Sequence, residues 1–192
     1  MKALVVLGSP RIRMNTDILL EQMISGLSTE TIEIEKIALG KMTINPCISC
    51  NACGKTGACF IKDDMSEVYG KFNQSDIIII GSPLYFNSVS GITKMMIDRC
   101  QAFWSSKYVY NQPSIDKNRA RKGVFVCTGG AKQPESGFVG ATMVMDLFFK
   151  AINTEYVHNL LVDNTDELFT GERRDILDRA YNIGKELVEF RR

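Results

Sequence analysis

Five short apolar runs recur along the chain, and a stretch with helical spacing follows each of them. The runs are ALVVL (3–7), TIEIEKI (31–37), DIIIIG (76–81), GVFVC (123–127) and YVHNLLV (156–162), short and rich in β-branched residues as strands require. Helical spacing marks 16–27, 65–73, 92–104, 141–152 and 166–190, with Asn15, Asp63 or Asp64, and Asp166 placed as N-caps. The VVL and IIII runs are apolar at every position, which suits central strands of a parallel sheet buried on both sides. The expected fold is α/β, a doubly wound five-stranded parallel sheet with helices on both faces, formed by 1–192 as one domain. Ligands bind such sheets beyond the carboxyl ends of the strands, near the point where strand order reverses. That directs attention to the loops after strands 1, 3 and 4.

The loop after strand 1, GSPRIRMNT (8–16), runs into a helix N-terminus. Free backbone N–H groups and the positive helix end attract an anion, Ser9 and Thr16 can donate to phosphate oxygens, and Arg11 or Arg13 adds charge. It has neither the Gly-Lys-Ser/Thr of a triphosphate loop nor the G-x-G-x-x-G of a dinucleotide fold, and an ordinary turn capped by Asn15 and Thr16 is the competing reading. The loop after strand 3 (81–91) sets Pro83, Leu84, Tyr85 and Phe86 at a sheet end, where aromatic groups can bracket a flat ring. After strand 4, Thr128, Gly129 and Gly130 let backbone amides approach a ligand closely. Taken singly, each of the last two loops is equally well a core cover or a turn; jointly the three favour a phosphate-bearing aromatic cofactor.

The stretch PCISCNACGKTGACF (46–60) holds four of the six cysteines, Cys47, Cys50, Cys53 and Cys59, at spacing C-x2-C-x2-C-x5-C. Disulfides, zinc and an iron–sulfur cluster are the candidates. The first apolar run is too short for a signal-peptide core and no segment approaches the roughly 18 apolar residues of a membrane span, so a soluble cytoplasmic protein is expected. In that reducing setting crowded thiols act as metal ligands or redox groups. Three cysteines at successive x2 spacing favour an iron–sulfur cluster over the separated pairs usual for zinc, which stays open as an alternative. Cys100 and Cys127 read as buried structural thiols. With 23 basic and 22 acidic residues, net +1, the chain advertises neither nucleic acid nor an anionic membrane as partner.

GSPR at 8–11 with Asn15-Thr16, DDM at 63–65, IIIIGSPLYFNSVSGITKMMIDR at 77–99 and TGG at 128–130 resemble the NAD(P)H-dependent FMN reductase family on a flavodoxin-like fold. With the cysteine motif added, the sequence resembles its iron-sulfur flavoprotein branch. The resemblance implies that Ser9, Arg11, Asn15 and Thr16, with Arg13 beside them, hold the phosphate of FMN. It implies that Pro83, Leu84, Tyr85, Phe86, Asn87, Thr128, Gly129 and Gly130 surround the isoalloxazine, and that Cys47, Cys50, Cys53 and Cys59 ligate a [4Fe-4S] cluster. Met14 departs from the glycine that many relatives carry there, and would be strained if the position needs positive φ. The implied activity is an FMN oxidoreductase passing electrons between NAD(P)H or ferredoxin and a small acceptor such as oxygen, peroxide, a quinone or flavin. A flavodoxin-type carrier and a cluster-free FMN reductase are the alternatives. Flavin sites in the family lie beside subunit interfaces, so a homodimer or homotetramer is expected, and the long connection 105–121 reads as a lid or a subunit contact.

Overall fold

Strand β1 (Lys2–Leu7) lies between β2 (Glu33–Ala38) and β3 (Ile77–Tyr85), and the sheet continues through β5 (Lys122–Thr128) to β6 (Glu155–Val162), all parallel. The computed structural model describes residues 1–28 and 30–189. Strand order is β2-β1-β3-β5-β6, with the two-residue strand β4 (Ser88–Val89) pairing antiparallel to the end of β3. The order reverses at β1, which is the switch point of a doubly wound sheet. Alternate residues of the apolar runs serve opposite faces. Leu4, Val6, Ile78, Ile80 and Phe125 pack with α3 (Met65–Gln74), α4 (Gly91–Arg99), α5 (Gln101–Tyr108) and α6 (Val139–Ala151), whereas Val5, Leu7, Ile79 and Val126 pack with α1 (Asn15–Leu27) and α7 (Arg174–Glu189). Because both faces are covered, the central strands carry no polar alternation. The doubly wound parallel sheet is the one the sequence pattern predicts, and its strand order is flavodoxin-like, as the family resemblance implied.

Several boundaries differ from expectation, each for a local reason. β3 does not stop at Gly81, because β5 keeps pairing with it through Ser82↔Cys127 and Pro83↔Thr128 after β1 has ended. The expected helix 92–104 is two helices, broken where Cys100 takes φ −67°, ψ −1°. The expected helix from Asp166 begins only at Arg174, since 163–173 crosses the carboxyl edge of the sheet as an irregular segment; its expected end, Phe190, lies outside the described residues. Asp166 therefore caps nothing. Asn15 is not a cap either, because its side chain bonds to the backbone of that crossing segment. Asp63 does accept the Met65 N–H at the start of α3 (3.1 Å). The connection 105–121 is no lid on the ligand side: it enters β5 at its amino end and is pinned there by buried Arg121, which donates to the carbonyls of Phe72, Asn73, Asp116 and Arg119. Among the described residues no helix is long and apolar enough to cross a membrane.

Helices α1 and α7 approach so closely that their glycines face backbone. A Cβ on Gly26 would lie 2.1 Å from the Tyr181 carbonyl oxygen, and one on Gly184 would lie 2.2 Å from that of Met23. Gly184→Ala should therefore destabilise by about 1–3 kcal/mol through overpacking, whereas Gly70→Ala, exposed on α3 with open space around it, should gain roughly 0.5–1 kcal/mol of helix propensity. Thermal melts of the two variants check this; equal melting temperatures would contradict the close helix contact.

Candidate functional site

The β1–α1 loop, the extension of β3 and the end of β5 converge on a cavity of about 260 Å³ at the carboxyl edge, beside the switch point. Its lining comprises Ser9, Arg11, Met14, Asn15 and Thr16, then Pro83, Leu84 and Tyr85, then Thr128 and Gly130, and finally Thr165 and Asp166. The N-terminus of α1 opens on it, so the first-turn amides and the positive end of the helix dipole favour an anion. Buried Thr16 and Thr128 share a 2.6 Å hydroxyl contact that ties the start of α1 to the end of β5. Ser9 Oγ accepts the Arg11 N–H (3.1 Å), folding the loop back, while Arg11 stays exposed and places a charge at the rim.

Four of the expected residues stand outside that lining. Arg13 takes φ 60° and its N–H donates to the Asp17 carboxylate at 2.6 Å, with Lys36 pairing the same carboxylate. The left-handed position thus falls on Arg13, and Met14 is extended at φ −113° and free of the strain its side chain would suffer at positive φ. Phe86 and Asn87, at φ 49° and 56°, form the two-residue turn between β3 and β4, with Phe86 fully exposed at its tip. Gly129 uses its N–H on Val162 O (2.8 Å) and its carbonyl on Thr165 N (3.0 Å), tying β5 to the crossing segment. Asn15 lines the cavity, but its carboxamide spans Thr165 O (3.3 Å) and Thr170 N (3.0 Å). Gly130 has a steric reason to be glycine, since a Cβ would come within 2.4 Å of Asp166 Oδ2.

Met14, Thr165 and Asp166 were not anticipated. The last two come from the loop after β6, whose polar sequence reads as the start of a helix. A usable signal existed: β6 also ends at the carboxyl edge, so the loop that follows it belongs to the same rim.

The second site is the cysteine loop. Cys47, Cys50, Cys53 and Cys59 all line one cavity of about 120 Å³, together with Arg99, Gln101 and Ala102. Positive φ at Ser49 (55°), Asn51 (58°) and Gly57 (72°) makes the chain double back around the short helix α2 (Ala52–Thr56). That reversal brings the four cysteines around the one cavity. Among the described residues no group of three His, Cys, Asp or Glu side chains is arranged to hold a single metal ion. Cys47 also borders a cavity of about 850 Å³ between α4, α5 and α6, lined by Trp104, Tyr108, Leu147 and Phe148. Cys100 and Cys127, by contrast, are buried, and burial raises the Cys100 thiol well above its ordinary range and pushes Cys127 up to about 12.

Comparison with known proteins follows the same lines. The family model for NADPH-dependent FMN reductases matches residues 1–154. The chain belongs to that family. An iron-sulfur flavoprotein of Methanocaldococcus jannaschii is 43% identical over 99 residues, covering 52% of this chain and 51% of its own. This chain thus spans about half the length of that relative. An iron-sulfur flavoprotein of Archaeoglobus fulgidus is 35% identical over 147 residues, 76% of this chain and 67% of the relative, which assigns the chain to the iron-sulfur flavoprotein branch. An FMN-dependent NADH-azoreductase from Bacillus anthracis, solved in complex with FMN, superposes with TM-score 0.70 at 14% identity, covering 96% of each chain; at that identity the likeness is one of fold.

In this iron-sulfur flavoprotein relative, buried Asp63 is the ionisable group that ties the cysteine loop to the rest of the protein. Burial alone would raise its carboxyl. The Arg99 guanidinium and the backbone and side-chain N–H groups of Asn45 more than reverse that, bringing it down to about 2. Because the folded value lies below the unfolded one, Asp63 contributes stability that is complete above about pH 4 and fades as pH falls through 2, worth about 2 kcal/mol. Wild type should exceed Asp63→Asn in unfolding free energy by about that amount at pH 7, with the gap closing between pH 4 and 2. A gap independent of pH would show that the carboxylate is not stabilised as described.

Proposed function

We propose that the chain is an FMN-dependent oxidoreductase that also carries a [4Fe-4S] cluster, taking electrons from NAD(P)H or a ferredoxin and passing them to a small acceptor such as oxygen, peroxide, a quinone or flavin. The observation that carries this reading is the convergence of an anion-binding helix start with Pro83, Leu84, Tyr85, Thr128 and Gly130 at the sheet's switch point. When bound, FMN supplies exchange of a hydride as two electrons and the cluster supplies exchange of single electrons. The protein's part is binding and orientation. Ser9, Thr16 and the first amides of α1 hold a phosphate, with Arg11 closing over it as a counter-charge. Leu84 and Tyr85 form an apolar flank for a flat ring, and Gly130 leaves backbone exposed along its edge.

The donor set of the second cavity fits a cluster, and the successive C-x2-C-x2-C spacing favours it over zinc. A single tetrahedral ion needs all four sulfurs on one centre, whereas a cubane takes one thiolate at each of four corners. Four cysteines line one small cavity, which supplies a thiolate for each of the four corners. The reading further treats 1–192 as one flavin domain with the cysteine loop 46–60 inserted, in a homodimer or homotetramer. Trp104, Tyr108 and Leu147 are exposed apolar residues around the cavity that Cys47 borders, and they supply surface for a subunit or an electron-transfer partner there. The six free thiols suit a reducing, cytoplasmic compartment.

FMN should bind far more tightly than riboflavin, and Arg11→Ala should weaken FMN by about tenfold to a hundredfold, the value of one charge-assisted hydrogen bond, while leaving riboflavin affinity unchanged. Fluorescence titration with both flavins checks it. Equal affinity for FMN and riboflavin in the wild type would sink the phosphate-cradle assignment.

A further inference from the structure

Arg99 ends α4, and its side chain is completely buried. A guanidinium carries five N–H donors, and here each has an acceptor. Nη1 donates to Asn45 O (2.9 Å) and Asp63 Oδ2 (2.6 Å), and Nη2 donates to Ile61 O (3.1 Å) and Asp63 Oδ1 (3.1 Å). Nε donates to Cys59 Sγ at 3.3 Å. Asn45 lies just before the cysteine loop and Ile61 and Asp63 lie just after it, so one side chain from a helix closes the neck of the loop. Four of the five bonds account for that closure. The fifth is different: it ends on a sulfur that lines the cysteine cavity, which loop closure does not require.

The four cysteines are correspondingly unlike. Cys47 and Cys50 are exposed, and Cys53 is half-buried with its Sγ 3.5 Å from the Ser105 hydroxyl. Cys59 faces a buried cation whose charge is balanced by Asp63 on its far side. Hydrogen bonds to ligand sulfur, local charge and solvent exposure are the means by which a protein sets the potential of an iron–sulfur cluster. Donation to a thiolate withdraws electron density from it and favours the reduced, more negative cluster.

We propose that Arg99 is a positioning residue for the cluster, fixing Cys59 as its fourth ligand and, through the Nε–H to sulfur bond, raising the cluster's reduction potential. Asp63 opposes this by neutralising the guanidinium. The inference rests on the cluster reading above, so its test begins by separating the two.

Wild-type full-length protein, purified or reconstituted anaerobically, is assayed for iron and sulfide, and its cluster potential is then measured by redox titration followed by electron paramagnetic resonance. Arg99→Gln, Arg99→Lys and Asp63→Asn are carried through the same procedure, with FMN content as the check that the fold is intact. The expected order is Arg99→Gln lowest, Arg99→Lys between it and wild type because the charge remains without the fork, and Asp63→Asn above wild type because the guanidinium is no longer neutralised. Shifts of opposite sign from the two partners of one ion pair are not produced by simple loosening of the loop. If every variant titrates at the wild-type potential, or all shift the same way, the inference is overturned while the cluster stands. If Arg99→Gln holds no cluster, Asp63→Asn decides: an upward shift supports the inference, and no shift or a downward one overturns it. Wild-type protein without iron and sulfide overturns the cluster reading and this inference together.

Discussion

The parallel pairing of β1 with β3 sets where two connections leave the sheet. Register from Ala3↔Ile77 to Leu7↔Gly81 ends β1 while β3 runs on beside β5 to Pro83 and then pairs with β4 through Leu84 and Tyr85. The β1–α1 loop and the projecting end of β3 therefore part at one point, and the end of β5 supplies the third wall. Because β1 is buried on both faces and paired on both edges, that geometry is held by the centre of the protein. A crevice formed there can present main-chain groups without paying for loop order separately.

The cysteine loop solves a different problem. It lies outside the sheet and most of its residues are exposed, so apolar burial does little to fix its shape. Backbone reversals at Ser49, Asn51 and Gly57 set its path, and the buried Arg99–Asp63 pair sets its ends. Such a pair is a poor source of net stability, because desolvation offsets much of its attraction. Its value here is geometric: the planar fork fixes Asn45, Ile61 and Cys59 relative to α4 in one arrangement. The loop is thereby anchored to the same helix layer that covers the sheet, and the two sites share a rigid support while remaining separate cavities.

Much of this was legible in the sequence. The three inner strands β1, β3 and β5 announce themselves because burial on both faces forces uninterrupted apolar runs, the half-exposed edge strands β2 and β6 show as short apolar-rich stretches with polar residues between, and three of the four walls of the flavin-type cavity follow from knowing which loops leave the carboxyl edge. The fourth wall, Thr165 and Asp166, was hidden because polar residues after β6 continue a helical pattern. The hairpin at Phe86 and Asn87 was hidden too. Such turns usually carry Asn-Gly or a similar pair, and a phenylalanine in the left-handed region gives no local warning. Arg99 has no sequence signature at all: its acceptors lie 36 to 54 positions away, and only the fold brings them together. The break between α4 and α5 at Cys100 was likewise invisible, since neither glycine nor proline interrupts the run.

The proposed function requires this chain to build two separate cofactor sites, one at the sheet edge and one in the cysteine loop. The most direct measurement is the absorption spectrum of anaerobically purified protein, combined with flavin, iron, sulfide and zinc analysis, for the wild type and for Cys53→Ala. The expected result is about one FMN with about four iron and four sulfide per chain in the wild type, and retention of FMN with loss of the iron–sulfur absorption in the variant. Stoichiometric zinc without iron in the wild type, or joint loss of FMN and cluster in the variant, would contradict it.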